Sequence, residues 1–337
     1  MNLYHKIQDL EKRPLLSKHE CLVNGIISSI DDRSLTYGDV LPSVNKMVHE
    51  LGYARKTIVK AYEELKERGI VSSKRRMGYF VASEATEQKL KVAILLYAFQ
   101  TFQERFFNTF RENLGENIHL DVYFHHQNSD VYRSILKEIN GKYGMYVVAP
   151  IQDQSYQELF NDIPFSKILF VDRFVPLGAQ YSYIVQEFER SFYKALYELS
   201  ETLSHFSECI LIYKSGSDYP KGTLLAFQKY CEDFGVKSKI IPKYLPGSLQ
   251  EKAVYFTIGD TDLWEILKDC KRYGVEVGTE VGILSQNDSP VKELIEGGIS
   301  TFSTDFMEMA KMAARFVCDR EPVRVVIPSV LIRRKSL

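Results

Sequence analysis

The first eighty residues carry one spacing of apolar side chains three times over. Each set of four stands at i, i+3, i+4 and i+7, which places all four residues on one face of an α-helix. The sets are Val23, Ile26, Ile27 and Ile30; Val44, Met47, Val48 and Leu51; and Ile58, Ala61, Tyr62 and Leu65. The pattern predicts three short amphipathic helices.

Glycines and a hairpin pattern follow these helices. Gly52 stands directly after the second set, where a residue in the left-handed conformation ends a helix, and Gly69 closes the third helix. Val71 then begins a strand, and the segment that returns to Val81 contains a basic turn formed by Lys74, Arg75 and Arg76. Three short helices followed by such a hairpin predict a winged helix-turn-helix, which is a DNA-binding fold.

From Lys91 onward, apolar runs alternate with helical spacing. The strand-like runs are Val92–Tyr97, Leu120–Phe124, Met145–Ala149, Ile168–Val171, Cys209–Tyr213, Ala253–Ile258 and Val281–Leu284. The helical stretches between and after them are Glu104–Leu114, Val131–Ile139, Phe188–Leu203, Leu224–Phe234, Leu263–Tyr273 and Phe306–Cys318. This order predicts a doubly wound α/β fold with a parallel sheet, and its length suggests two lobes.

The two patterns are separated by a polar stretch without aromatic side chains, which is typical of a linker. We therefore predict a winged helix-turn-helix domain over residues 1–82, a linker over 83–90 and a two-lobed domain over 91–337. Near the N-terminus, Tyr4 and Ile7 lie on a short amphipathic segment that we expect to dock on the winged helix.

Composition qualifies this picture in two ways. The chain of 337 residues has a net charge of -1, which alone would argue against a nucleic-acid partner. Residues 1–84, however, hold 14 Lys and Arg against 11 Asp and Glu, and the basic residues cluster on the predicted recognition helix and wing. The five cysteines show no CxxC pair, and no segment has the apolar length of a membrane span or signal peptide, so we expect a reducing, cytoplasmic location.

The predicted recognition helix begins with Arg55, Lys56 and Thr57, and Lys60 follows one turn later. The N-terminal residues of such a helix enter the major groove, where cationic side chains reach phosphates or guanine edges and a threonine can bond a phosphate. The basic turn of the hairpin suits an adjacent groove. The alternative is a solvated basic surface on a small helical domain.

The segment Leu41–Val81 resembles the winged-helix domain of the GntR family of bacterial transcription regulators. The matching positions are Leu41, Pro42, Ser43, Leu51, Gly52, Arg55, Thr57, Ala61, Leu65, Gly69, Gly78 and Val81. The departures are Asn45 in place of a phosphate-contacting arginine, Ala54 in place of a helix-capping serine, and Arg76 and Tyr79 in the wing. The resemblance implies that Ser43, Asn45 and Tyr79 join the DNA-binding residues.

A second candidate site lies at the carboxyl ends of the predicted strands, where ligands bind in open α/β sheets. The residues there are polar or aromatic, and they are Phe99, Gln100, Asp153, Asp172, Arg173, the loop 215–221, the loop 259–262, Asn287 and Asp288. Carboxylates, amides, a cation and an aromatic ring around one cleft suit a sugar, whose hydroxyls need donors and acceptors. The alternative is that these loops are polar because water solvates them.

The region from Lys91 to Leu337 resembles the periplasmic-binding-protein-like effector domain of the LacI family. The segments that carry this likeness are Ile168–Arg173, Lys221–Phe227, Thr257–Asp260 and Ser285–Pro290. The resemblance implies that Asp172, Lys221, Asp260 and Asn287 contact the effector. Lys221 then stands where the family has a sugar-binding arginine, and Asn287 where it has an aspartate.

Together the two resemblances imply a homodimeric, one-component transcription regulator that binds double-stranded operator DNA. They imply repression of a carbohydrate-utilisation operon that is relieved by a small sugar, with L-fucose and L-arabinose as the first guesses. The alternatives are a ligand-blind architectural DNA binder and a pyridoxal-phosphate-dependent fusion enzyme of the aminotransferase type, for which the second region is too short.

We expect no enzyme activity, cofactor or metal. No Ser-His-Asp or paired-carboxylate arrangement can be singled out, and the adjacent His125 and His126 would point to opposite faces of a strand.

Overall fold

The computed structural model describes residues 2–12, 16–74, 78–83, 90–98, 100–115, 118–151, 158–161, 163–176 and 178–337. The chain separates into two units. The first comprises Met1–Val92, Gly115–His119 and Asp319–Pro322, and the second comprises Ala93–Leu114, Leu120–Cys318 and Val323–Leu337. The domain boundaries inferred from the sequence stay predictions, and residues 84–89 of the predicted linker lie outside the described residues.

The first unit contains four helices and a hairpin. They are α1 (Leu3–Glu11), α2 (Lys18–Asp31), α3 (Val44–Leu51), α4 (Arg55–Glu67), β1 (Val71–Lys74) and β2 (Gly78–Val81). The two strands pair antiparallel, from Val71 opposite Val81 to Lys74 opposite Gly78. The predicted winged helix-turn-helix is therefore confirmed.

Local sequence explains where these helices begin and end. Ser17 and Glu20 form a reciprocal capping box at the start of α2, and Ser43 caps α3 by accepting a hydrogen bond from the backbone NH of Lys46. Gly52 ends α3 with a φ of 65°, a left-handed conformation that favours glycine. The turn between α3 and α4 is short because of this glycine.

The helix α1 docks where the sequence predicted an amphipathic segment. Ile7 is fully buried, and a Cβ at Gly25 of α2 would lie 2.4 Å from the Ile7 Cγ1 atom. The absent side chain at Gly25 therefore allows α1 to approach α2. Lys6 anchors the same helix, because its ammonium contacts the carboxylate of Asp32 and lies 2.9 Å from the Ser34 hydroxyl.

The second unit is a chain of strands and helices. Its elements are β3 (Leu90–Leu96), α5 (Thr101–Glu112), β4 (Ile118–Phe124), α6 (Ser129–Ile139), β5 (Met145–Val148), β6 (Ile168–Asp172), β7 (Ser182–Glu187), α7 (Glu189–Glu198), α8 (Ser200–Leu203), β8 (Glu208–Ile212), α9 (Lys221–Phe234), β9 (Ser238–Ile241), β10 (Ala253–Thr257), α10 (Asp260–Tyr273), β11 (Gly282–Gln286), α11 (Pro290–Leu294), β12 (Ser300–Thr304), α12 (Phe306–Asp319) and β13 (Arg324–Ile332).

The strands form one sheet in the order β4-β3-β5-β6-β7-β13-β12-β11-β10-β8-β9. We call the strands from β4 to β7 the first lobe and those from β12 to β9 the second lobe. The strand β13 joins them, because it pairs parallel with β7 and antiparallel with β12. Separate apolar clusters underlie the two lobes, around Phe170 in the first and Phe256 in the second.

The predicted α/β order is correct, with three corrections. Four strands were not predicted from the sequence: β7, β9, β12 and β13. The strand β12 reads STFST and carries few apolar residues, while β13 contains Pro328, which is unusual inside a sheet. The predicted parallel sheet also contains an antiparallel pair, formed by β12 and β13. The stretch Phe188–Leu203 forms two helices rather than one, because α7 ends at Glu198 and α8 begins at Ser200.

In the described part of the chain, no helix combines the length and the apolar character that crossing a bilayer requires.

Candidate functional site

The predicted recognition helix is α4, and its first turn is open to solvent. Arg55, Lys56 and Lys60 are exposed, and Thr57 is half-buried. The helix begins after Ala54, which makes no side-chain capping hydrogen bond. The NH of Thr57 donates to the Ala54 backbone oxygen at 2.9 Å, while the NH groups of Arg55 and Lys56 have no capping side chain from Ala54 and are placed where a phosphate oxygen would satisfy them.

Asn45 of α3 orients Arg55, the first cationic residue of this surface. Arg55 donates a hydrogen bond from Nη1 to the side-chain oxygen of Asn45, which is itself exposed. Because Oδ1 accepts from arginine, the amide Nδ2 of Asn45 points its donors elsewhere. The side chain that replaces the family's phosphate-contacting arginine thus forms one polar pair with Arg55.

The remaining predicted DNA-contact residues have separate surroundings. Ser43 caps α3, so its hydroxyl is engaged with the backbone. Lys74 is exposed at the end of β1, with its ammonium 5.1 Å from the centre of the Phe80 ring. Tyr79 donates to Glu63 at 3.0 Å. Arg75 and Arg76 lie outside the described residues.

The second unit contains a cleft of about 200 Å³ that opens to solvent. Its lining residues come largely from the carboxyl ends of strands and the loops that follow them: Tyr97, Phe102, Gln103, His125, Gln127, Ala149, Pro150, Asp172, Arg173, Tyr213, Ser217, Asp218, Tyr219 and Lys221. The carboxyl ends of the strands are also where ligands bind in open α/β sheets.

The cleft includes some of the predicted effector residues and not others. Asp172, Arg173 and Lys221 line it. Gln100 is exposed at the start of α5 and is not among the lining residues. Phe99 and Asp153 lie outside the described residues.

Four aromatic rings line the cleft, and the sequence did not single them out individually. They are Tyr97, Phe102, Tyr213 and Tyr219. Tyr97 directly follows β3 and Tyr213 directly follows β8, so the signal was the same strand-end position that indicated the other residues. Burial raises the pKa of Tyr97, and the nearby carboxylate of Asp218, in the loop after β8, adds to that shift.

Two buried polar atoms of the cleft lack a hydrogen-bond partner among the described residues. They are Oε1 of Gln103, whose residue is 4% exposed, and Nη1 of Arg173. The guanidinium of Arg173 also lies over the ring of Phe188, 4.7 Å from its centre. Because an unpaired buried polar atom is costly, an acceptor and a donor left free in a cleft indicate a place for a polar ligand.

Strained backbone accompanies the cleft. His126, Gln127 and Asp172 all have positive φ values of 47°, 57° and 71°, although none is a glycine. They lie just after β4 and at the last residue of β6. Such strain persists only where surrounding contacts hold it, and it is common at ligand sites.

Burial shifts the pKa of two cleft residues. It lowers the pKa of His125 to about 4, so the imidazole is neutral: it lies 3.1 Å from the Ala149 carbonyl through Nε2 and accepts from the Gln127 NH through Nδ1. Burial raises the pKa of Asp172, while Arg173 and the Gln186 amide oppose that shift. The described residues contain no cluster of three or more His, Cys, Asp and Glu side chains that could hold a metal ion.

Asp260 and Asn287 are joined by a lysine that the sequence did not point to. Lys292 is 1% exposed, and its ammonium lies 2.6 Å from the Asp260 carboxylate. The same nitrogen donates to the backbone oxygens of Gln286 at 2.7 Å and Asn287 at 2.8 Å. Burial lowers the pKa of Lys292, against the opposing effect of Asp260. Neither predicted residue is among those that line the cleft.

A winged helix with an exposed basic recognition helix, together with a two-lobed α/β unit that contains a polar and aromatic cleft, defines a class: DNA-binding transcription regulators. Comparison with known proteins places the chain within it. The sequence model of bacterial regulatory proteins of the gntR family matches residues 20–81. The first unit is thus a winged helix of GntR type, as the sequence indicated.

Solved structures share the fold of the second unit. A periplasmic binding protein/LacI transcriptional regulator from Alkaliphilus metalliredigens, complexed with D-xylulofuranose, is 13% identical with a TM-score of 0.59, over 73% of this chain and 98% of that one. The trehalose repressor from Escherichia coli is 14% identical with a TM-score of 0.60, over 72% and 100%. A transcription regulator-like protein from Staphylococcus haemolyticus is 15% identical with a TM-score of 0.59, over 74% and 98%.

A comparison with curated protein sequences gave no match. The chain therefore joins a segment that matches the gntR family model with a unit that shares the fold of LacI-type and periplasmic binding proteins.

Proposed function

We propose that this regulator represses a carbohydrate-utilisation operon and that a small, neutral sugar bound in the cleft releases it from its operator. The observation that carries the proposal is the pair of unpaired buried polar atoms, on Gln103 and Arg173, beside four aromatic rings. A sugar supplies both hydroxyl donors and acceptors for such atoms, and its ring faces pack on aromatic side chains.

The charge of the cleft favours a neutral ligand. Arg173 and Lys221 are balanced by Asp172 and Asp218, so no strong excess of either sign would select an ion. Two structural relatives support the sugar class, since one is complexed with D-xylulofuranose and the other is a trehalose repressor. L-Fucose and L-arabinose are the first sugars to test.

On the DNA side, the proposed contacts are those predicted from the sequence: Ser43, Asn45, Arg55, Lys56, Thr57, Lys60, Lys74, Arg75, Arg76 and Tyr79. The protein would act as a homodimer on a roughly two-fold symmetric operator, with one α4 in each half-site. The ligand would act by favouring one arrangement of the dimer, because only different affinities for two states can shift their balance.

The cleft favours a ligand-sensing function over that of a ligand-blind architectural protein. A domain that served only as a scaffold would have no reason to keep buried polar atoms unpaired or strained strand ends at one cleft. We propose no enzymatic activity, since the arrangement of Asp172, Arg173 and Lys221 is accounted for by ligand recognition.

A thermal-shift screen against pentoses, deoxyhexoses, hexoses and their phosphates tests the proposal. A sugar that binds the folded state must raise the melting temperature, and the same sugar should release the operator. Lys221→Ala should reduce the shift, whereas Lys214→Ala, an exposed lysine outside the cleft lining, should not. A folded, DNA-binding protein that responds to no sugar in the panel would contradict the sugar effector.

A further inference from the structure

Four side chains of the second unit form a continuous series of hydrogen bonds. Gln186 donates from Nε2 to the carboxylate of Asp172, and Thr304 Oγ1 lies 2.8 Å from Gln186 Oε1. Ser329 Oγ lies 2.6 Å from Thr304 Oγ1 and 3.3 Å from the backbone oxygen of Glu187. We call Asp172, Gln186, Thr304 and Ser329 the polar chain.

The polar chain leads from the cleft to the strand that joins the lobes. Asp172 lines the cleft at the end of β6, and Gln186 lies on β7. Thr304 ends β12, and Ser329 lies on β13, opposite Thr304 in the antiparallel pair. Gln186, Thr304 and Ser329 are each at most 7% exposed, so water does not readily replace these bonds.

The hydroxyl and amide protons of the polar chain are too few to form all of its hydrogen bonds when the Asp172 carboxylate is an acceptor. Gln186 must then donate through Nε2, so its Oε1 accepts from the Thr304 hydroxyl. Thr304 has no second proton, and the bond to Ser329 must use the Ser329 proton. The contact between Ser329 and the Glu187 carbonyl is then left without a proton.

If the donor and acceptor roles along the polar chain are reversed, every one of its hydrogen bonds has a proton. If the carboxyl of Asp172 is neutral and donates, the Gln186 amide turns over, accepts through Oε1 and donates to Thr304. Thr304 then donates to Ser329, and Ser329 donates to the Glu187 carbonyl. Whether the Asp172 carboxyl donates or accepts thereby decides whether the Ser329 hydroxyl of β13 donates a hydrogen bond to the Glu187 carbonyl of β7.

We infer that the polar chain is a two-state relay in which Gln186 and Thr304 are positioning residues that couple the cleft to the β7–β13 junction. Its regulatory meaning rests on the proposed function, because a hydroxyl of the bound sugar would set whether Asp172 donates or accepts. Burial raises the pKa of Asp172, Arg173 and the Gln186 amide oppose that shift, and the charges facing the carboxyl are Arg173 and Asp218.

The test uses the full-length protein without ligand. Asp172→Asn places a donor amide at the cleft end and imitates the donating state. Hydrogen–deuterium exchange of peptides that cover β7 and β13 should then slow by about 3- to 10-fold, as expected for one added hydrogen bond between these strands. Asp130→Asn, the same change at an exposed carboxylate outside the cleft lining, should leave exchange in β13 unaltered.

Blocking the middle of the relay separates transmission from local packing. Thr304→Val is nearly isosteric, and combined with Asp172→Asn it should abolish the slowing, whereas Thr304→Ser should keep it. Ser329→Ala serves as a second block should the valine variant fold poorly, and Thr257→Val is the control, because Thr257 is equally buried and bonds Ser285 instead.

Unchanged exchange of β13 in Asp172→Asn, or slowing that persists through both blocks, would overturn the relay. Neither result would touch the sugar proposal, since no sugar enters the measurement. A negative sugar screen would likewise leave the relay test intact.

Discussion

The guanidinium of Arg55, the first residue of α4, donates a hydrogen bond to the side-chain oxygen of Asn45 in α3. This contact joins the two helices of the helix-turn-helix at the surface proposed to face DNA. It also limits the directions that the arginine can take, since a guanidinium held by one acceptor loses part of its rotational freedom. Asn45 therefore restricts the directions that Arg55 can take at the surface proposed to face DNA.

Arg55→Ala should weaken operator binding by about 1–3 kcal/mol if the arginine reads a base, with relaxed specificity at that position. Asn45→Ala should cost less, and the double variant should lose little more than Arg55→Ala, because both changes remove one coupled pair. Titration of an operator selected from random duplex DNA measures these values. Lys66→Ala, at the opposite end of α4, is the control, and strict additivity of the two losses would contradict the coupling.

The exposed Lys60 should act as a charge rather than a reader of sequence. Lys60→Ala should weaken binding by a similar factor on specific and unrelated duplexes, and it should reduce the slope of log affinity against log salt by about 1. Binding measured across a salt series gives that slope. An unchanged slope would place Lys60 away from the phosphates.

Replacing Gln103, whose side-chain oxygen is unpaired, should weaken ligand binding without lowering the stability of the protein. Gln103→Leu deletes a buried oxygen that has no partner, so the free energy of unfolding of the ligand-free protein should stay equal or rise by up to about 2 kcal/mol. The thermal shift produced by the sugar found in the screen should shrink in the same variant. Gln228→Leu, an exposed change on α9, should alter neither quantity. A large loss of stability in Gln103→Leu would show that the oxygen is bonded within the protein.

Substitution of Lys292 should lower the free energy of unfolding more than substitution of Asp260 or Asn287, the two predicted residues that it contacts. Lys292→Met leaves the Asp260 carboxylate and two backbone oxygens without their shared donor, which should cost about 1–3 kcal/mol in the free energy of unfolding. Asp260→Asn should cost less, since both backbone bonds remain. Urea unfolding measures the difference, with the exposed Lys268→Met as control. Equal losses for Lys292→Met and Lys268→Met would refute this account.

His125 should make the protein sensitive to acid. Its pKa is about 4 in the folded protein against 6.5 in an ordinary environment, so the unfolded chain binds the proton first as the pH falls. The stabilisation is complete above pH 6.5 and declines between pH 6.5 and 4, by up to about 3 kcal/mol at 1.4 kcal/mol per pKa unit.

Urea unfolding of the wild type and His125→Gln across that pH range checks this expectation. The variant should lose most of the acid-dependent decline, whereas His205→Gln, at an exposed position, should retain it. A decline of the same size in both variants would assign it to other groups.

Much of the fold follows from local pattern. The three apolar quartets define α2, α3 and α4, and Gly52 and Gly69 mark the ends of α3 and α4, because a period of 3.6 residues and a left-handed stop are properties of the chain itself. Most strands of the second unit are continuous apolar runs, so they too are visible in the sequence. The strands β12 and β13 are not, since their hydroxyl-rich or proline-containing sequences become strands only through pairing with neighbours.

The sequence by itself determined the two kinds of domain, the exposed basic helix and the region of strand ends where a ligand would bind. Only the tertiary structure decided which of those residues meet. It placed Asp172, Arg173 and Lys221 along one cleft, joined Asp260 to Asn287 through Lys292, and aligned Gln186 with Thr304 across β13. The reason is physical: periodicity encodes which face of an element is buried, whereas contacts between distant residues depend on strand order and register, which no local spacing records.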